Sequence, residues 1–343
     1  MALMEVRQKA KERLRDICRV CRICDGVACA GWVPGIGGVG TGASFQNNVQ
    51  ALARHRLNLR VIHQVEKPQM GLSLFGHQFT LPVLGAAVAG AKLNFRGLVT
   101  EEELSQALLL GAKAAGTAGM TGDGPDPALF ETGLAAVRAA DGIGIPIIKP
   151  LEQARIKERI RLAEQSGAMA VGIDIDAAGL INMTRAGKKV GPKTGKEIAE
   201  IVASTSLPVI IKGIMTPEDA LAVAEAGATA LVVSNHGGRA LDHTPGTAEV
   251  LPRIADAVGE RITVLLDGGI RSGSDVLKAL ALGARAVLVG RPLAIAAFGG
   301  GAEGVRLELE RLRGELEAAL ILTGTTSVSQ VSREILYRES PVF

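Results

Sequence analysis

The chain has 343 residues, 47% hydrophobic and 21% charged, proportions that exclude a disordered, collagen-like or disulfide-dense miniprotein and leave ample material for a large core. Its 38 basic and 35 acidic side chains give a formal net charge of only +3, too weak a field to argue for nucleic acid or an anionic membrane, so a small-molecule partner is the default. Aromatics reach only 3%, which argues further against a base-stacking platform, and neither a membrane-length apolar run nor a signal-peptide core occurs, so a cytoplasmic protein without a membrane span is expected.

Residues 1–79 read as an N-terminal extension: a helix over 3–24, a glycine-rich segment over 31–42 and a second helix near 44–55. All four cysteines fall in this extension, as Cys18, Cys21, Cys24 and Cys29 in a C-x2-C-x2-C-x4-C run. Three thiols this close are more like an iron–sulfur binding run than the paired knuckles of a zinc site. The fourth spacing and the missing proline depart from the bacterial ferredoxin run, however, and helical spacing would equally bury three small apolar side chains on one face. Both readings stay open and no metal is assigned. The basic side chains around them alternate with acids and are most simply a solvated helix face.

From residue 80 to 343, short β-branched apolar runs alternate with amphipathic stretches of helical period. The runs cover 82–88, 116–120, 145–148, 170–175, 207–211, 230–234, 262–266 and 286–289, with helices expected to begin near Thr100, Asp126, Glu152, Thr194, Thr216, Gly246, Ser272 and Pro292. Several of these starts carry a capping Ser, Thr or Asp or an early proline. Eight βα units are the count of a closed (β/α)8 TIM barrel, with the extension packed on it and no interdomain linker.

In such a barrel, functional groups sit at the C-terminal ends of the strands. Those ends read Asp174-Ile175-Asp176, Lys212-Gly213, Ser234-Asn235-His236-Gly237-Gly238-Arg239, Asp267-Gly268-Gly269-Ile270-Arg271 and Gly290-Arg291-Pro292. The last two combine glycines that admit an anion with arginines and a helix N-terminus, so a phosphate is expected there. Tight turns and surface ion pairs are the plain alternative, weakened because two adjacent ends share the pattern. His236 followed by a guanidinium three residues on is a proton acceptor beside an anion clamp, whereas a lone histidine would more often be structural. Lys212 either pairs with a carboxylate or faces a ligand oxygen, and Asp174 and Asp176, read as pointing the same way along one strand, could orient an imidazole.

The stretches LPVIIKGIMTPEDA, VVSNHGGRALDHTPGT and VLLDGGIRSGSDVLKALALGARAVLVGRP resemble the FMN-dependent 2-hydroxy acid oxidase and dehydrogenase family, and GELEAALILTGTTSVSQVS and TGASFQNNVQAL match it more weakly. The resemblance implies that His236 is the active-site base, oriented by Asp176, and that Arg239 grips the substrate carboxylate. It implies Lys212 beside the flavin N1 and O2 edge and Ser234 on the cofactor's hydroxylated chain. Asp267, Gly269, Arg271, Gly290 and Arg291 would hold the ribityl and phosphate groups, with Ala86, Ala87, Gly237 and Gly268 also contacting FMN. A homo-oligomer, tetrameric or larger, is implied as well.

Two tyrosines usual in the family are missing, one near Gly37–Gly40 and one at the end of the third strand, where this chain reads Ile147-Ile148-Lys149-Pro150. Arg185 is the nearest candidate for a second carboxylate-binding arginine, and Lys149 for a replacement contact. The resulting expectation is an enzyme that oxidises a 2-hydroxy carboxylate with an unknown electron acceptor. The alternatives are an FMN-dependent isomerase of the type 2 isopentenyl diphosphate isomerase kind and a non-catalytic flavin redox sensor.

Overall fold

The computed structural model describes residues 2–338. Eight parallel strands form the barrel: β1 Val83–Gly85, β2 Gly119–Thr121, β3 Gly144–Ile148, β4 Val171–Asp174, β5 Val209–Ile214, β6 Ala230–Val233, β7 Thr263–Asp267 and β8 Ala286–Val289. Their order is β8-β1-β2-β3-β4-β5-β6-β7, and β8 pairs with both β7 and β1, so the barrel is closed and has no edge. This is the expected (β/α)8 TIM barrel with an N-terminal helical extension. Strands such as β3, β6 and β8 are buried along their whole length, because one face lines the interior and the other meets the helix layer.

The interior is filled by Leu84, Met120, Ile145, Ile147, Ile210, Val232, Leu265 and Leu288. Leu72, Leu74 and Phe79 of the hairpin Leu72–Leu74/His77–Phe79 join the same cluster, together with Ala118 and Met169 at the strand starts. That end of the barrel is therefore plugged with apolar side chains, and the polar groups gather at the other.

The helix starts follow from local chemistry. The hydroxyls of Thr100, Thr194, Thr216 and Ser272 accept from the backbone N–H three residues on, and Asp126 caps Ala128 N–H, each satisfying a donor that the first turn leaves free. Glu152 and Gly246 also occupy cap positions but make no side-chain cap bond. The last helical run, Arg291–Thr323, is broken at Gly300 and Gly301, where the backbone leaves helical geometry.

Three expectations are corrected. The first helix ends at Arg13, not near residue 24. Its buried stripe Val6, Ala10, Leu14 does continue in period through Cys18, but Cys18 N–H closes a last turn on Leu14 O and Val20 then takes a left-handed φ of 47° that no helix allows. The second strand is displaced toward Thr121, which brings Gly122 and Asp123 to its end. Asp176 does not lie on β4 with Asp174 but in the following 3₁₀ turn, Ile175–Gly179.

The helix Leu3–Arg13 lies against Arg291–Thr323, with Arg13 Nη1 donating to Phe298 O at 3.0 Å. Contact is backbone to backbone at Gly299, where an added Cβ would stand 1.9 Å from Val6 O. Gly299→Ala is therefore expected to lose about 1–3 kcal/mol in urea unfolding through overpacking. Gly314→Ala, in the same run with nothing within 4 Å, should gain up to about 1 kcal/mol from helix propensity. Equal effects of the two would contradict this account of the helix contact.

Candidate active site

The C-terminal ends of the strands surround one cavity of roughly 1320 Å³, counting the space open to solvent at its mouth. Lys212, His236, Arg239, Asp267, Arg271 and Arg291 all line it, as do Ala86, Ala87, Gly237, Gly268, Gly269 and Gly290. Asp176 and Ser234 stand behind this wall and act on it indirectly. Arg185 is exposed at the end of the short helix Ile181–Arg185 and does not line the cavity.

At the base of the cavity the charges alternate. Lys149 Nζ donates to Asp174 Oδ2 at 2.7 Å, Lys212 Nζ lies 3.7 Å from Asp174 Oδ1, and the same ammonium lies 3.1 Å from Asp267 Oδ2. All four are buried. Burial alone would raise the Asp174 pKa, but the charges of His236, Lys149 and Lys212 outweigh it and hold the group well below the usual carboxylate range. Burial would lower Lys212, and Asp267, Asp174 and Asp176 reverse that, so it stays charged.

His236 Nδ1 is 2.9 Å from Asp176 Oδ1 and 3.5 Å from Asp174 Oδ1. With Nδ1–H committed to carboxylates, Nε2 is the nitrogen left for a substrate. Burial disfavours the imidazolium, but Asp174 and Asp176 more than offset it and the pKa rises above 6.5. Asp176 is pushed up to about 6 by burial and by the neighbouring Asp174 charge. These three ligand atoms lie within 4.8 Å of one another. The Lys149 and Lys212 ammonium groups beside them supply the positive charge that a cation would otherwise bring, so we read them as a proton-handling group and not as a metal centre.

Local backbone geometry makes these contacts possible. Gly213 has φ 105° at a register shift between β5 and β6, and a Cβ there would fall 2.7 Å from the Asp176 backbone nitrogen. Only glycine lets the Asp176 turn close over β5. His236 itself is left-handed, with φ 58°, and is fixed by Ser234 Oγ, which accepts from His236 N–H at 3.1 Å and from Lys212 Nζ at 2.8 Å.

The extension braces the same loop. Asn48 and Asn235 exchange side-chain hydrogen bonds of 2.7 and 3.0 Å, and Val39 N–H donates to Gly238 O at 2.9 Å. Arg291 lies over the Phe45 ring and donates to Ile36 O, Gly237 O and Gly37 O at 2.7–2.9 Å. Burial and the neighbouring arginines lower its pKa to about 9. Arg239 donates to Gly35 O and to Asn94 Oδ1, the latter at 3.1 Å, and burial lowers its pKa to about 10. Asn94 and Asp123 escaped the sequence reading. Asp123, buried and paired with Arg159, accepts from Lys149 N–H at 2.9 Å and so positions that lysine. The displaced second strand concealed it, and Asn94 follows a βα turn without a motif.

A profile of the FMN-dependent dehydrogenase family matches residues 35–195 and 186–338. The chain belongs to that family. It is 30% identical over 339 residues to the peroxisomal (S)-2-hydroxyacid oxidase GLO3 of Arabidopsis thaliana, covering 89% of this chain and 91% of the relative. Among solved structures it is similar to mandelate oxidase with 2-hydroxy-phenylacetamide, at TM-score 0.79 and 32% identity over 100% of this chain and 99% of the other. A mandelate oxidase variant with the C4a-OH-FMN adduct gives TM-score 0.77 and 32% identity over 97% and 99%. FMN is thus the cofactor, and FMN-dependent oxidation of 2-hydroxy acids is the family's activity. The diphosphate isomerase and sensor alternatives gain nothing from these relatives.

Removing Lys149 takes away the shortest contact of Asp174 but leaves Lys212 and His236. Lys149→Met is expected to cost up to about 3 kcal/mol in urea unfolding, at the lower end for breaking a buried pair. The double substitution with Asp174→Asn should recover part of that loss. Additive losses would contradict the pairing.

Proposed function

We propose that the chain oxidises a 2-hydroxy carboxylate to the 2-oxo acid, with His236 as base and Arg239 as carboxylate anchor. The observation that carries this reading is a histidine held by the buried Asp174 and the half-buried Asp176 in the same cavity as the half-buried Arg239. FMN bound in this cavity supplies the acceptor for the two electrons released.

The residues present fit that group. Asp267 Oδ1 is buried without a hydrogen-bond partner, which suits a ribityl hydroxyl. The Lys212 ammonium suits the electron-rich edge of a flavin ring. Arg271 and the backbone at Gly268, Gly269 and Gly290 suit a phosphate, the last at the start of the Arg291 helix. Arg291, with three donors on carbonyls, adds charge and holds the loop.

Arg239 pairs with the substrate carboxylate while Asn94 and Gly35 fix its guanidinium plane. His236 Nε2 takes a proton from the substrate, and the imidazolium that forms is stabilised by Asp176 and Asp174 through Nδ1–H. Leu93, Leu129, Leu180 and Met183 form an apolar part of the cavity wall, which favours an apolar substituent on the acid.

The test is anaerobic bleaching of the flavin by a panel of 2-hydroxy acids. His236→Ala should slow it by about 10²–10⁴. Lengthening an apolar side chain should raise kcat/KM by about fourfold per methylene until the wall is filled. If no acid bleaches the flavin, or His236→Ala bleaches at the wild-type rate, the assignment fails.

The pH dependence has a definite sign. A base acts only when neutral, so kcat/KM falls as pH drops through the raised His236 value, placing the acid limb above pH 6.5. Asp176→Asn removes a charge that raises it. The limb should then move to lower pH while kcat falls, and a limb that stays or moves upward would refute the role given to Asp176.

A further inference from the structure

We propose that Cys18, Cys21, Cys24 and Cys29 hold a [4Fe–4S] cluster that carries electrons from the flavin cavity to a one-electron carrier protein. The electron-carrying part rests on the function proposed above. Because the first helix ends at Arg13, none of the four cysteines lies on it, which removes the reading of three small side chains on one buried helix face. All four thiols are free and line one small cavity between the extension and the start of the Arg291 helix.

The spacing of the thiols is wider than a single shared zinc ion would hold. Zinc with its sulfur ligands at about 2.3 Å draws them to about 3.8 Å from one another. Among the described residues the group of three or more ligand atoms within 4.8 Å of one another is Asp174, Asp176 and His236, so no three thiols are that close. A four-iron cube, which takes one thiolate on each corner instead of four on a shared ion, suits the wider arrangement.

Two more features suit such an occupant. Val20, a β-branched residue strained at φ 47°, aims its N–H at Cys18 Sγ over 3.4 Å, the kind of hydrogen bond that tunes a cluster sulfur. Arg19 and Arg291 line the cavity with Asp25, a net positive side-chain charge that opposes the negative charge of a four-thiolate cluster. Ile36 and Arg291 line the flavin cavity too, so a single layer of side chains separates the two spaces.

Oxidation of one 2-hydroxy acid to the 2-oxo acid releases two electrons and two protons. The electrons leave through the cluster one at a time to the carrier, and the protons pass to solvent, one of them by way of His236.

Holoprotein purified anaerobically and reconstituted with ferrous iron and sulfide is expected to retain about four irons and four sulfides per chain. It should also give an EPR signal on reduction with dithionite. Cys21→Ser and Cys24→Ser should lose the iron yet keep FMN, the far-UV circular dichroism and flavin bleaching. One zinc per chain, or no iron retained by the wild-type protein, overturns the site. A 2-hydroxy acid that bleaches the flavin should produce the same EPR signal, and a cluster that only dithionite reduces overturns the relay. If no 2-hydroxy acid bleaches the flavin, the functional reading fails, and the iron count still decides the site.

Discussion

The buried carboxylate of Asp174 meets the ammonium groups of Lys149 and Lys212 and the imidazole of His236, which come from the ends of three other strands. Left uncompensated, such a charge would cost several kcal/mol, so the register of β3, β4, β5 and β6 is tied to its neutralisation. Asp174 and Lys212 are direct partners in the β4–β5 ladder, and Asp267 at the end of β7 extends the alternation around the rim. Three acids, Asp174, Asp176 and Asp267, then face two lysines. The protonated His236 is the third cation that makes the set neutral. A group arranged in this way is one proton short of balance, which is what a base needs in order to accept one.

The extension serves the same end from outside. His236 is held in a left-handed conformation that costs energy, and the loop carrying it is pinned by Asn48, Val39 and the carbonyl contacts of Arg291. Phe45 is the common support: Arg291 lies over its ring, and Gly238 and Gly26 have no room for a side chain because Phe45 occupies it. The TGASFQNNVQAL segment therefore resembles its family because it is part of the site, even though it precedes the barrel by some thirty residues.

Much of this was legible in the sequence because its causes are local. A capping side-chain oxygen marks a helix start within a residue, and Thr100, Asp126, Thr194, Thr216 and Ser272 all bear this out. The clustering of Lys212, His236, Arg239, Asp267, Arg271 and Arg291 on one rim followed from counting strands. What escaped depends on non-local demands. The 3₁₀ turn that swings Asp176 toward His236 needs the space left by Gly213, on another strand. The end of the first helix is set by where the cysteine loop must go, against a periodicity that continues beyond Arg13. Asp123 matters through Lys149 and Arg159, partners that no spacing reveals.

The two places where the family resemblance leads one to expect a tyrosine are shaped by the same packing. Near the first position, a Cβ on Gly37 would stand 2.0 Å from Cys29 O, and one on Gly40 would stand 2.5 Å from Asp242 Oδ2. Any side chain at these glycines would drive the extension away from the cysteine loop and from the Asp242 carboxylate that receives Thr41 and Ser44. At the second position the chain carries Lys149, whose ion pair with Asp174 fills the end of β3 with charge where a phenol would offer a neutral hydroxyl. Each place is thus coupled to a feature of this chain, the cysteine loop in one case and the buried ion pair in the other. A tyrosine placed at Gly37 or Gly40 alone would break packing, because the space it requires is already occupied by backbone and carboxylate oxygen.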